Sequence, residues 1–295
     1  MWEELNKKAV GLFQSSKYSE AVEIAKKALE EAEKAFGPDD PRVARVLNNL
    51  AEMYRAQEKY ADAEPLWERA LDIREKELEK NHPDVATSLN NLAGAYFEQG
   101  RFSEAEPLFR RAISILEKSL GPDHPDIATS LNNLAAVNRA MGRYPAAKPL
   151  YDRALAILEK ALGPDHPEVG ACLNNLAGLY DSQERHKDAE PLYRRALQIA
   201  EKTFGPDHPH VASSLNNLGG TLVGLGNYGE AEVVLIRAQT IIENAYGINH
   251  PYAATGLENL ADFYDGTGRT HEALSLRARA QELRESLKKG HEEAG

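Results

Sequence analysis

One five-residue motif returns at a fixed interval, and this constrains the fold more than any other feature of the chain. Leu47-Asn48-Asn49-Leu50-Ala51 recurs at Leu89–Ala93, Leu131–Ala135, Leu173–Ala177 and Leu215–Gly219, and in worn form at Leu257–Ala261. The step is 42 residues each time, without insertion. One step before Leu47 stands Leu5-Asn6, a degenerate first copy. Seven such units account for almost all of the 295 residues. Self-similarity at this period marks an array of stacked supersecondary units.

Each unit reads as two helices. From Asp84 to about Gln99, Val85, Leu89, Leu92, Ala93 and Tyr96 fall at helical spacing. Gly100-Arg101 breaks the pattern, and Ser103 is the expected N-cap of a second helix from Glu104 to about Leu120. Pro107 is placed in the first turn of that helix, where proline removes no hydrogen bond. Pro65, Pro149 and Pro191 take the same place. The linker Gly121-Pro122-Asp123-His124-Pro125, with copies at Gly163–Pro167 and Gly205–Pro209, supplies a glycine to end one helix and a proline to begin the next. Nothing alternates with period two, so no sheet is expected. The units fall at about 1–40, 41–82, 83–124, 125–166, 167–208, 209–250 and 251–289, in a single solenoid, with a disordered tail at 290–295. A two-helix unit cannot bury its apolar face alone, so stacking must supply the core and the end units must differ. They do: unit 1 carries Lys7-Lys8 within the motif, and unit 7 carries Glu258.

Composition narrows the function. Thirty-five Lys and Arg against 46 Asp and Glu give a net charge of −11, which argues against nucleic acid. A single cysteine excludes a disulfide framework and a cysteine zinc site. No apolar stretch is long enough to span a membrane, and residues 1–30 carry charges throughout, so a cytoplasmic protein is expected.

Large, small and aromatic residues stand at the offsets of the tetratricopeptide repeat. Unit 2 has Leu47, Leu50, Ala51, Tyr54, Ala63, Trp67 and Ala70, and unit 5 has Leu173, Leu176, Ala177, Tyr180, Ala189, Tyr193 and Ala196. With its 42-residue period, LNNLA core, A-E-P-L start of the second helix and G-P-D-H-P linker, the chain resembles the kinesin light chain type of this family and its bacterial relatives. The resemblance implies an all-α fold, a right-handed TPR superhelix (an α-solenoid) whose first helices line a concave groove for extended peptides. It also implies groove asparagines and basic side chains as ligand contacts. Arg74, in Ile73-Arg74-Glu75-Lys76, matches an arginine motif of that family, but its counterparts are Leu116, Leu158, Ala200 and Ile242. Most of the basic cargo surface is therefore missing.

If the motif leucines point inward, the first Asn of each pair faces the groove, with residues three before, four after and seven after it. The candidate ligand residues are Asn48, Asn90, Asn132, Asn174 and Asn216, with Arg45, Arg55, Arg139 and Phe97. A carboxamide can meet a peptide N–H and C=O together, so a ladder of them suits an extended backbone. Arg45, Arg55 and Arg139 make one half basic, and Asp181, Glu258, Asp262 and Asp265 make the other acidic. The second Asn of each pair is expected to tie units together.

Catalytic signals are missing. There is no phosphate-cradling G-x-x-x-x-G-K-[S/T] loop. His82, His124, His166, His208 and His250 stand one per linker and read as loop residues, not metal ligands. Cys172 reads as a small packing residue. No cofactor, metal or enzymatic activity is expected. The expected function is a scaffold or adaptor binding a protein or peptide ligand, as a monomer or weak homo-oligomer. The alternative is a ligand-sensing regulatory TPR region of a signalling ATPase.

Overall fold

A computed structural model of the chain describes residues 1–293. Among the described residues there are fourteen helices and no strand. They come in seven pairs: α1 (Trp2–Gln14) with α2 (Tyr18–Phe36), α3 (Pro41–Arg55) with α4 (Tyr60–Glu77), α5 (Pro83–Glu98) with α6 (Phe102–Leu120), and α7 (Pro125–Ala140) with α8 (Tyr144–Leu162). The remaining pairs are α9 (Pro167–Asp181) with α10 (His186–Phe204), α11 (Pro209–Gly224) with α12 (Tyr228–Tyr246), and α13 (Pro251–Gly266) with α14 (Thr270–Glu293). Contacts divide the chain into two compact units, one ending at Ile157 and the other starting at Leu158, so that the division falls within α8.

Within each unit the motif leucines form the core. Leu47, Leu89 and Leu131 are at most 1 % exposed in the first unit, as are Leu173, Leu215 and Leu257 in the second. Each such burial contributes about 1.5–3 kcal/mol. The second helices contribute one large residue between two alanines: Trp67 between Ala63 and Ala70, Phe109 between Ala105 and Ala112, Tyr193 between Ala189 and Ala196. The alanines let neighbouring helix axes approach while the ring fills the space between them.

Polar ties join each repeat to the one before. Arg69 bridges Glu33 at 2.7 Å and donates to the Pro38 carbonyl at 2.9 Å. Arg153 does the same with Glu117 and Pro122, Arg195 with Glu159 and Pro164, and Arg237 with Glu201 and Pro206. Arg111 pairs with Glu75 and Arg279 with Glu243. These side chains are partly exposed, so each pair is worth at most about 1 kcal/mol, and repetition fixes register more than it adds stability.

Three local expectations are corrected. The second helices begin earlier than expected: α6 starts at Phe102, and Ser103 lies inside it. Arg101 takes the cap position without a side-chain cap bond, its guanidinium held by Glu104 and Glu64 at 2.7 Å and stacked over Tyr96. Pro65, Pro107, Pro149 and Pro191 consequently lie inside their helices rather than in the first turn. All four are exposed, so the carbonyl each leaves unbonded is met by water. Finally, α14 runs through Gly290 to Glu293, into the stretch 290–295 expected to be disordered. The Leu, Lys and Glu residues before it favour helix. The last two residues of that stretch lie outside those described.

The linker histidines are helix caps. Nδ1 of His82 accepts the Asp84 backbone N–H at 3.1 Å, and His124, His166, His208 and His250 repeat the bond at 3.2–3.3 Å. Asp40 holds this place before α3, accepting the Arg42 N–H at 2.8 Å and two bonds from its guanidinium. The Arg42 hydrogen bonds lower the Asp40 carboxyl from 3.8 to about 2, against a small opposing effect of burial. A depressed folded-state value means that the cap's contribution is complete above the unfolded value and is lost as pH falls through about 2. Asp40→Ala should therefore cost about 0.5–2 kcal/mol at neutral pH. In urea melts the gap between wild type and variant should narrow below about pH 4 and close near pH 2.

Candidate peptide-binding face

The exposed edge of each first helix is set by one short row of residues. Thr87 and Thr129 in the first unit, and Ala171, Ser213 and Thr255 in the second, are all exposed. The next turn presents the asparagine pair, and the two members face differently. Asn48 is 6 % exposed and its Nδ2 donates to Ser88 Oγ at 3.4 Å. Asn90 and Ser130 exchange two bonds, at 2.7 and 3.0 Å. The Oδ1 atoms of Asn132 and Asn174 are buried without a partner. Asn216 is half-buried. Asn48 and Asn90 thus turn toward the next repeat, where Ser88 and Ser130 sit 40 positions on.

Asn49 and Asn217 are more accessible than Asn48 and Asn216, while Asn90, Asn132 and Asn174 are half-buried like the asparagines that follow them. Asn91, Asn133, Asn175 and Asn259 are half-buried and Asn217 is exposed. Among the described residues none of these five amides has a side-chain hydrogen-bond partner. Asn49 differs: it donates to Asn6 Oδ1 at 3.0 Å and ties the first repeat down.

Most of the expected charged contacts are already engaged. Arg45 lies 3.7 Å from Glu3 and over the Trp2 ring. Arg55 bridges Glu52 at 2.9 Å and Glu98 at 2.6 Å. Arg139 alone of the three has no ion pair among the described residues. Phe97 is half-buried against Phe102, with ring centroids 5.5 Å apart. At the acidic end, Asp262 and Asp265 share the single charge of Arg277 at 2.9 and 2.5 Å, and Glu258 pairs with Arg284 at 2.6 Å. Asp181 binds His186 at 2.9 Å and Thr221 at 2.7 Å. The expected charge gradient is therefore largely cancelled by partners on neighbouring elements, which spacing along the first helices alone does not reveal. Among the described residues no cluster of three His, Cys, Asp or Glu is set to hold a metal ion, and no helix is long and apolar enough to cross a membrane.

The tetratricopeptide repeat family profile matches residues 4–76, 42–118, 84–160, 126–202, 182–235 and 212–286. The chain is a tetratricopeptide repeat protein. No curated protein matches it. Among solved structures, a kinesin light chain with nearly identical TPR-like repeats from Podospora anserina is 28% identical, with a TM-score of 0.59 over 69% of this chain and 96% of that one. BtubC (BKLC) from P. vanneervenii is 24% identical, with a TM-score of 0.61 over 84% and 91%. A Rap protein complexed with competence and sporulation factor is 17% identical, with a TM-score of 0.70 over 98% of this chain and 76% of that one.

In this TPR protein the histidine caps and the hydroxyl partners Ser88 and Ser130 escaped the reading of the sequence. The histidines had a signal: Asp40, a strong capping residue, stands at the same place one repeat earlier. The two members of each asparagine pair should separate in a melt. Asn90→Ala leaves the buried Ser130 hydroxyl unpaired and should cost about 1–3 kcal/mol. Asn91→Ala, whose amide has no side-chain partner among the described residues, should stay within about 0.5 kcal/mol of wild type in the same denaturant titration.

Proposed function

We propose that this protein is a non-catalytic interaction scaffold that holds an extended segment of a partner protein along its first helices. The observation that carries this reading is that Asn91 and Asn133 in the first unit are half-buried carboxamides without a side-chain partner among the described residues; Asn175, Asn217 and Asn259 repeat this in the second unit. Each carries both donor and acceptor, so each can meet a peptide group irrespective of partner sequence. The small neighbours Gly94 and Ala136, with the threonine row, leave room for partner side chains beside Asn91 and Asn133. Arg139 adds an uncompensated positive charge there and favours an acidic residue in the segment.

The contacts assigned to the first asparagines give way to these. Asn48 and Asn90 already spend their amides on Ser88 and Ser130. The kinesin light chain-like and Rap structures support a partner-binding use of the fold and do not name this partner.

The test is capture of partner from native lysate by wild type and by the double variant Asn91→Ala/Asn133→Ala. Capture should fall about tenfold or more, since each lost peptide-group pair costs about 1 kcal/mol. The melting curve should not move. Undiminished capture by the double variant would refute the second-asparagine ladder. Arg139→Glu should weaken capture of an acidic segment, and added salt should reduce that difference.

A further inference from the structure

Repeat 5 lacks side-chain volume in three places at once. Gly170 stands where Ala44, Ala86, Ala128, Ala212 and Ala254 stand in the other repeats. Ala171 replaces the Arg, Thr or Ser of that row, and Ala200 stands where Arg74, Leu116, Leu158, Ile242 and Arg284 stand. Ala171 and Ala200 border a pocket of about 350 Å³ between α9, α10 and α11, wholly within the second unit, whereas the place of a Gly170 Cβ is taken by Ile199, whose Cγ2 would lie 3.2 Å from it. It opens between Ala171 and Ser213, both on the exposed edge of the first helices. The size falls within the range of small-ligand sites.

The first unit shows what fills the same place when the side chain is present. Arg74 is 6 % exposed there, and its Nη1 donates to the Asp84 carbonyl at 2.9 Å and to Ser88 Oγ at 2.8 Å. Three repeats on, the counterparts of Arg74, Asp84 and Ser88 are Ala200, His210 and Ser214. The acceptors remain and the donor is gone. Ser214 is 3 % exposed and its hydroxyl makes only a long bond, 3.4 Å, to the His210 carbonyl of its own helix. Asn174 Oδ1 is buried in the same pocket with no partner. Glu168 supplies a carboxylate at the rim. Phe204, 41 % exposed, lines the mouth. Its ring already lies against His208 and His210, with centroids 5.0 and 4.9 Å away.

We propose that this pocket receives the arginine side chain of a bound partner segment. A planar guanidinium offers several donors in fixed directions, which suits acceptors on two helices. The unpartnered Asn174 Oδ1, the Ser214 hydroxyl and the rim carboxylate favour it over an anionic side chain. The assignment rests on the partner-segment reading, since it places one side chain of that segment.

Binding of N-acetyl-arginine amide, followed by NMR titration of the whole chain, tests the pocket without any partner. Its citrulline counterpart has the same shape without the charge. Arginine amide should bind saturably at millimolar concentration, about tenfold more tightly than the citrulline compound, as expected for charge-assisted hydrogen bonds. Ala200→Arg should abolish binding by supplying the protein's own guanidinium, with a melting temperature at or above wild type. Ser214→Ala removes one acceptor, should weaken binding several-fold, and decides the matter if Ala200→Arg does not fold. No saturable binding, equal affinity for citrulline, or undiminished binding by both variants would overturn the pocket assignment. The capture experiment with Asn91→Ala/Asn133→Ala is independent of it, so failure of the pocket and failure of the scaffold reading are distinguishable.

Discussion

An antiparallel helix pair of this size leaves an apolar face uncovered, and the rest of the structure follows from covering it with the next pair. The requirement explains the fixed step. Leu47, Leu89 and Leu131 must each meet the same neighbouring surface, so an inserted residue in a linker would rotate a whole helix out of the stack. It explains the alanines flanking Trp67 and Phe109, which set the distance between helices. It also explains why polar groups at the seams are paired across repeats. The Asn90–Ser130 exchange satisfies groups that stacking takes from water, and the partly exposed Arg153–Glu117–Pro122 clamp adds a tie at the surface.

Function, on this view, resides where repetition is broken or left unsatisfied. The second asparagine has an amide to spare once the first has been used at the seam. Repeat 5 retains the acceptors that bind Arg74 elsewhere but substitutes Ala200 for the arginine. Repeat 5 departs from its neighbours at Gly170, Ala171 and Ala200, and the proposed arginine pocket lies beside them.

The fold was legible because it depends on period, and period is visible in a string of residues. Helix pairs, their order and the buried face all follow from the LNNLA spacing. The candidate site was legible only in part. Asn48 and Asn90 were expected in the groove, and Ser88 and Ser130 hold them at the seam instead. The hydrophobic pattern fixes the centre of the buried face, and asparagines at its edge are assigned by what lies across the seam. Ser88 and Ser130 decide that, and they are 40 positions away. Charge was misjudged for the same reason: Arg277 and Arg284 lie on a different helix from Asp262, Asp265 and Glu258. The early start of α6 was hidden because Arg101 takes the cap position without any side-chain cap bond.

The dependence of each repeat on its neighbours is tested most directly by the same truncation at the middle and at the end of the array. Leu131 is 1 % exposed in a repeat that is neither the first nor the last, whereas Leu5 is half-buried at the edge of its cluster. Leu131→Ala should cost about 2–5 kcal/mol in a denaturant melt, and Leu5→Ala clearly less. Equal losses at the two positions would contradict the account, since they would mean that each helix pair is stable without its neighbours.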